Sequence, residues 1–257
     1  MTIKQQCIAL YTLIRRELVR MFRIASQVFL PPVITTVLYF LIFGTVIGDR
    51  VGPIHGVSYA TFIAPGLVMM AVITNAYANV STSLFSVRFQ RSIEEMLVSP
   101  MHYSLLLLGY TLSGVLRGVM VAILVYGVAW FFVDLDWAHV PMTLLVIVLV
   151  AALFSLAGFT NGMLARTFDD VALVPTFVLA PLTYLGGVFY GISMLPPFWQ
   201  KISHFNPIFY MVNALRQAMI GQQEVNMLFA MEIICFMLVA LSCLNLVLLK
   251  KGVGLHD

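Results

Sequence analysis

The sequence predicts an all-α membrane protein that crosses the bilayer six times. Three observations lead there. Of its 257 residues, 61% are hydrophobic and only 10% charged, with a mean hydropathy of +0.99; a water-soluble domain of this composition would expose large apolar patches. The apolar residues gather in six runs, at 28–48, 60–84, 108–133, 141–164, 171–189 and 227–249, each close to the ~20 residues that a hydrocarbon core requires. The runs are too long and too evenly apolar for alternating barrel strands of ~10 residues. Because lipid satisfies no backbone amide or carbonyl, helices are the remaining choice.

The chain reads as one transmembrane domain, residues 1–257. A charged segment, 1–27, precedes the first run and shows no small-residue cleavage pattern, so no cleaved leader is expected. With the N-terminus inside, the cytoplasmic segments carry Lys4, Arg15, Arg16, Arg20, Arg23, Arg88, Arg91, Arg166, Lys250 and Lys251, against Arg50, Lys201 and Arg216 outside. That asymmetry places both termini in the cytoplasm. Cys7, Cys235 and Cys243 then lie in the cytoplasm or the membrane, where a structural disulfide is not expected.

In segment 1–27, Tyr11, Ile14, Leu18, Met21 and Phe22 recur at helical spacing and Arg16, Arg20 and Arg23 take the opposite face. The pattern predicts an amphipathic helix lying flat on the inner leaflet, its arginines near anionic headgroups. In the first span, Tyr39, Phe40 and Phe43 offer aromatic surface, as do Phe177 and Tyr184 in the fifth; they are candidates for lining a path as well as for ordinary packing. The second span carries Asn75, Asn79 and Ser83 four residues apart, with Thr74, Ser81 and Thr82 nearby. Such a ladder should face protein or a water-filled path rather than acyl chains, so both inter-helix bonding and substrate contact are open. Pro65 and Gly66 predict a bend or a non-helical entry near the outer end of that span.

Between the second and third runs lies FSVRFQRSIEEMLVSPMH, 85–102, where Phe85, Phe89, Ile93 and Leu97 step by four with Met96 beside them. Arg88, Arg91, Ser92 and Glu95 occupy the other faces, and Pro100 ends the pattern. This predicts a short cytoplasmic helix with one apolar and one charged face, built to dock into a partner's groove or to rest on the membrane. In the third span, Arg117 is flanked by Gly114 and Gly118, and the fourth span carries Gly158 and Gly162 at the same spacing. The glycines predict close packing of these two helices, and Arg117 is placed to snorkel toward the cytoplasm. His139 beside Asp134 and Asp136 reads as a short solvated loop rather than a metal site.

At Ser92-Ile93-Glu94-Glu95-Met96-Leu97-Val98-Ser99-Pro100 the sequence resembles the cytoplasmic coupling-helix motif of ABC-2 type export permeases, with Glu94 on the family's glutamate and Pro100 on its proline. Arg91 stands where many members have glycine. A second block, GGVFYGISMLPPFWQKISHFNPIFYMVNALRQAMIG from Gly186 to Gly221, is similar to the family's outer region, with Gly187, Pro197, Trp199, Asn206, Pro207 and Arg216 on its marked positions. The resemblance covers essentially the whole chain. It implies an ABC-2, type V exporter-like fold, with the coupling helix at 85–102 and short re-entrant helices at 190–226. It further implies a two-fold homodimer whose first and fifth spans meet at its centre, each copy docked on a separate ATPase. Arg88, Arg91, Glu94, Glu95, Leu97 and Pro100 would contact that ATPase, and Asn75, Asn79, Ser83, Tyr39, Phe43, Phe177 and Tyr184 are candidates for the substrate path.

The chain contains no G-x-x-x-x-G-K-S/T phosphate loop, so ATP and Mg²⁺ are expected on the partner and no cofactor, metal or catalytic residue on this chain. Membrane lipid is an expected partner and nucleic acid is not. Two rivals stand beside the exporter subunit. A gradient-driven secondary transporter would need a relay of ionisable residues, yet only Arg117 and Glu232 lie within spans. An intramembrane enzyme would need a nucleophile or metal cluster, whereas there is no H-E-x-x-H, and His55, His102, His139, His204 and His256 are scattered over both sides. The cargo is expected to be amphiphilic, lipid-linked or drug-like, and the location a bacterial inner membrane.

Overall fold

A computed structural model describes residues 3–54, 56–92, 101–133 and 139–253, apart from the side chain of Asp49. All its regular elements are helical. In chain order they are α1 (Ile3–Arg23), α2 (Ala25–Ile47), α3 (Tyr59–Phe89), α4 (Tyr103–Phe132), α5 (Val140–Leu164), α6 (Phe168–Leu185), α7 (Pro197–Phe205), α8 (Pro207–Ile220) and α9 (Met227–Lys251). Six of them, α2 to α6 and α9, are long and apolar enough to span a bilayer. Those are the six runs of the sequence, with shifted ends. The largest shifts are in α3, which continues to Phe89, and in α4, which starts at Tyr103.

The helices differ sharply in how much protein surrounds them. Over its most apolar stretch α3 is 78% buried, while α2 and α9 are 11% buried and α6 17%. α3 is the axis of the bundle, with α4 and α5 packed against it and against each other. Gly158 and Gly162 of α5 make the closest approach: a Cβ at Gly158 would run into the carbonyl of Tyr77, and one at Gly162 would stand 2.9 Å from the carbonyl of Ser81. Both carbonyls belong to α3. The α5 glycines therefore serve the α3 seam rather than the expected seam with α4. On α4, Gly114 and Gly118 face Ser155 and Ala151 of α5 as well as Val80 and Ala76 of α3, as small-residue packing in membranes favours.

Proline shapes two helices in different ways. In α3 the helix runs on through Pro65, and Gly66 lets the backbone of Val188 approach, its carbonyl lying 2.6 Å from where a Cβ would stand. No non-helical entry occurs at Pro65. In α2, Pro31 and Pro32 remove two successive amide donors. The hydroxyl of Thr36 donates to the Pro32 carbonyl at 2.7 Å, that of Thr35 donates to Pro31, and the helix widens to π-winding over Phe40–Ile47. A helical turn, Gly48–Val51, follows directly.

α6 stops at Leu185, short of the expected residue 189, because the chain turns at Gly186 and Gly187, the latter with φ +78. A 3₁₀ turn, Ile192–Met194, and the short helices α7 and α8 then lead back to α9. Pro197 starts α7 and Pro207 starts α8, each at a first-turn position where a missing amide costs nothing. α8 packs against α3, α5 and α9, and its inner face is buried.

Candidate functional site

The polar ladder of α3 turns out to be where the rest of the molecule is pinned. At its Ser83 end stands Glu17 of α1, which is 2% exposed. Its Oε1 accepts from Arg16 Nη2 at 3.1 Å. Its Oε2 accepts from Arg20 Nη2 at 2.9 Å, Arg20 Nε at 3.2 Å and Ser83 Oγ at 2.7 Å. Arg16 also donates to the Tyr110 hydroxyl of α4 at 3.0 Å, and Arg20 to Asn79 Oδ1 at 2.8 Å. Asn79 in turn donates to Ser113 Oγ at 3.3 Å. One carboxylate with two guanidiniums thus ties α1 to α3 and α4.

This arrangement corrects the reading of α1. Arg16 and Arg20 point into the protein rather than toward headgroups, and the buried face is Leu13, Glu17 and Met21. Tyr11 and Phe22, assigned to the same stripe as Met21, are 66% and 58% exposed. Glu17 itself carried the missed signal: a lone acid between arginines at i−1 and i+3 on a helix is positioned for pairing. Beside this cluster a basic groove of about 630 Å³ is lined by Arg15, Arg16, Arg20 and Arg23 of α1 and by Ser83 and Gln90.

Two turns further along α3, Asn75 accepts from Arg117 Nη2 of α4 at 3.0 Å. Arg117 therefore reaches across to a neighbouring helix, where the sequence predicts snorkelling toward the cytoplasm. The pair borders a cavity of about 330 Å³ between α2, α3 and α4. All three rungs of the ladder, Asn75, Asn79 and Ser83, face protein, and Asn75 alone of them faces this cavity as well.

Near the other end of α3, Arg216 of α8 is fully buried. It donates to the Gly187 carbonyl at 2.7 Å, to the Phe62 carbonyl at 3.4 Å and to Asn213 Oδ1 at 3.3 Å, and its guanidinium lies 3.9 Å from the centre of the Phe62 ring. Asn206 caps α8 by accepting from the Ile208 amide at 3.0 Å and donates to the Leu182 carbonyl at 2.6 Å. Gly187, Asn206, Pro207 and Arg216 thus form one brace between α3, α6 and α8. Pro197 and Trp199 sit apart from it on α7, where Trp199 is 44% exposed and packs on Phe198.

The aromatic candidates divide. Tyr39 and Phe43 of α2 and Tyr184 of α6 converge on Phe189, with ring centres 5.2, 4.7 and 6.1 Å from it. Phe189, overlooked in the sequence, is the hub because Tyr59 of α3 donates to its carbonyl at 2.7 Å. Phe177 takes no part and is 71% exposed.

At the C-terminal end of α3, the first part of the expected docking helix belongs to the span. Phe85 and Phe89 lie within α3 and pack edge-on against Phe168 at the start of α6, with ring centres 4.8 and 5.1 Å away. Arg88 donates to the carbonyls of Gly162 and Ala165 at 2.8 and 3.0 Å, capping the C-terminal end of α5. The helix then breaks at Gln90–Arg91, where Arg91 is exposed and has φ +59, a left-handed conformation that glycine adopts without strain. Glu94, Glu95, Leu97 and Pro100 lie outside the described residues.

The ABC-2 type transporter family model matches residues 8–220, from α1 to the end of α8. The chain belongs to the ABC-2 type transporter family. It is 50% identical over 253 residues to the inner membrane transport permease YadH of Escherichia coli K12, an alignment that covers 97% of this chain and 98% of that one. It is 25% identical over 224 residues to nodulation protein J of Rhizobium leguminosarum bv. viciae, covering 84% of this chain and 83% of that protein. Nodulation protein J of Neorhizobium galegae is 23% identical over 246 residues. As an ABC-2 transporter the chain is a multi-pass transport permease, the membrane subunit of a transporter rather than an enzyme.

Proposed function

We propose that the chain is the permease subunit of an ATP-driven exporter, working as a two-fold homodimer with two copies of a separate ABC ATPase that binds ATP and Mg²⁺. Its cargo is an amphiphilic, lipid-linked or drug-like molecule. The membrane is the bacterial inner membrane, consistent with the location in the name of its 50% identical relative, and both termini face the cytoplasm. The observation that carries this reading is the motif from Ser92 to Pro100, which follows directly on the end of the most buried helix, α3. Arg88 bolts that end to α5, and the left-handed Arg91 redirects the chain, so a force applied to the motif is delivered to the axis of the bundle. An apolar stripe through Leu97 supplies docking area and Glu94 the orienting charge. Residues 190–226 form the outer region, re-entering from the far side.

The test uses Glu94→Lys and Leu97→Asp. Neither residue lies in a span, so both variants should insert normally, while co-purification of the ATPase and stimulation of its turnover fall steeply. Full retention of the complex and of transport in Glu94→Lys would remove the coupling role. Cysteine labelling checks orientation separately: a cysteine at Ser92 should react with an impermeant reagent only in opened cells, and one near Lys201 from outside.

A further inference from the structure

Arg117 is a cation of the bundle with a donor to spare. Its Nη2 is bound to Asn75, but its Nε is buried and has no acceptor among the described residues. The carboxylate of Glu17 is taken up by Arg16 and Arg20, and Arg20, another cation, acts on Arg117. A guanidinium in that position is a standing demand for negative charge, because desolvation strengthens every electrostatic interaction and leaves water unable to answer it.

The cavity beside it fits an answer of a particular kind. Its volume, about 330 Å³, lies at the small end of ligand pockets, enough for a compact headgroup. Gln27, Thr35 and Thr36 of α2 are among the polar residues that line it, and Leu67 and Met70 of α3 among the apolar ones. The α2 wall contains Pro31 and Pro32 and belongs to one of the least covered helices, so an attached chain has a short way out to the acyl region. A guanidinium fork matches the paired oxygens of phosphate or carboxylate.

We propose that this cavity binds the oxyanion head of an anionic amphiphile, a phosphate or carboxylate carrying acyl chains, with Arg117 as its anchor. Binding is a property of this chain alone and does not rest on the ATPase reading. The full-length chain in a neutral detergent is titrated with dioctanoyl phosphatidic acid, with dioctanoyl glycerol as the uncharged counterpart and inorganic phosphate as the tail-less one, following thermal unfolding. The phosphatidic acid should raise the unfolding temperature with a saturating dose dependence, and the other two should not.

Two variants locate the effect. Arg117→Gln removes the charge. Asn75→Asp sets a carboxylate at the position now 3.0 Å from Nη2 and satisfies Arg117 from within. Each should weaken phosphatidic acid binding about tenfold or more, and Asn75→Asp should do so without lowering the unfolding temperature of the ligand-free protein, which separates loss of the site from loss of the fold. Wild-type affinity in Asn75→Asp overturns the proposal. So does equal stabilisation by dioctanoyl glycerol, which would make the site merely apolar, or by inorganic phosphate, which would make the chains irrelevant.

Discussion

Two of the arginines that lie among the helices, Arg216 and Arg117, are held in contrasting ways. Arg216 is wrapped by the Gly187 and Phe62 carbonyls, the Asn213 side chain and the face of the Phe62 ring. Arg117 has one amide oxygen and an idle Nε. The difference shows what a cation can do in a membrane. Surrounded by fixed carbonyls it becomes a fastener, since moving any one partner strands buried polar groups. Held by a single neutral acceptor it keeps most of its charge available.

Replacing each arginine should expose that contrast. Arg216→Ala would strand two carbonyls and empty the core of the brace. A loss of ~3–5 kcal/mol is expected, seen as little monodisperse protein after extraction and a much lower unfolding temperature. Glu17→Gln comes next, because it leaves Arg16 and Arg20 without their shared countercharge. It should cost ~2–3 kcal/mol and free α1, so that limited proteolysis cuts near Ile24 before the bundle unfolds. Gly158→Ala pushes a methyl group into the Tyr77 carbonyl and should cost ~1–3 kcal/mol through separation of α3 and α5. Arg117→Gln should lie within ~1 kcal/mol of wild type, as glutamine keeps a hydrogen bond to Asn75 and sheds an unanswered charge. If Arg117→Gln proved as damaging as Arg216→Ala, both arginines would be fasteners and the contrast would fail.

The parts legible in the sequence are those that hydropathy decides. Six runs of sufficient length lead to six spanning helices, whereas Gly187, Asn206 and Pro207 stand out by resemblance, and the structure makes them a left-handed turn and a helix start. Facing is harder to read. In water an apolar stripe points inward, but lipid is as apolar as a core. Hence Tyr11, Phe22 and Met21 look equivalent on α1 although only Met21 is buried, and Phe177 looks like Phe43 although it stands alone. Polar residues were the better guide. Asn75, Asn79 and Ser83 did face protein, and their partners, Arg117, Arg20 and Glu17, come from sequence positions too distant for periodicity to connect. The exporter motif at Glu94 came from resemblance, and only its approach, Phe85 to Ser92, lies within the described residues.

α3 has 31 residues and therefore a length of roughly 46 Å. Along it, arginines grip at Phe62 and Asn79, and its own Arg88 grips α5 beyond them. A rod clamped at both ends and between them cannot slide past its neighbours a little at a time; it carries α4, α5 and α8 with it. The compliant members are the helices hung on the outside, above all α2, whose paired prolines and π-wound turns have already given up regular hydrogen bonding. Motion delivered to the C-terminal tip of α3 would accordingly emerge as strain in α2, so the stiffest helix would act as the lever and the most loosely wound one as the hinge.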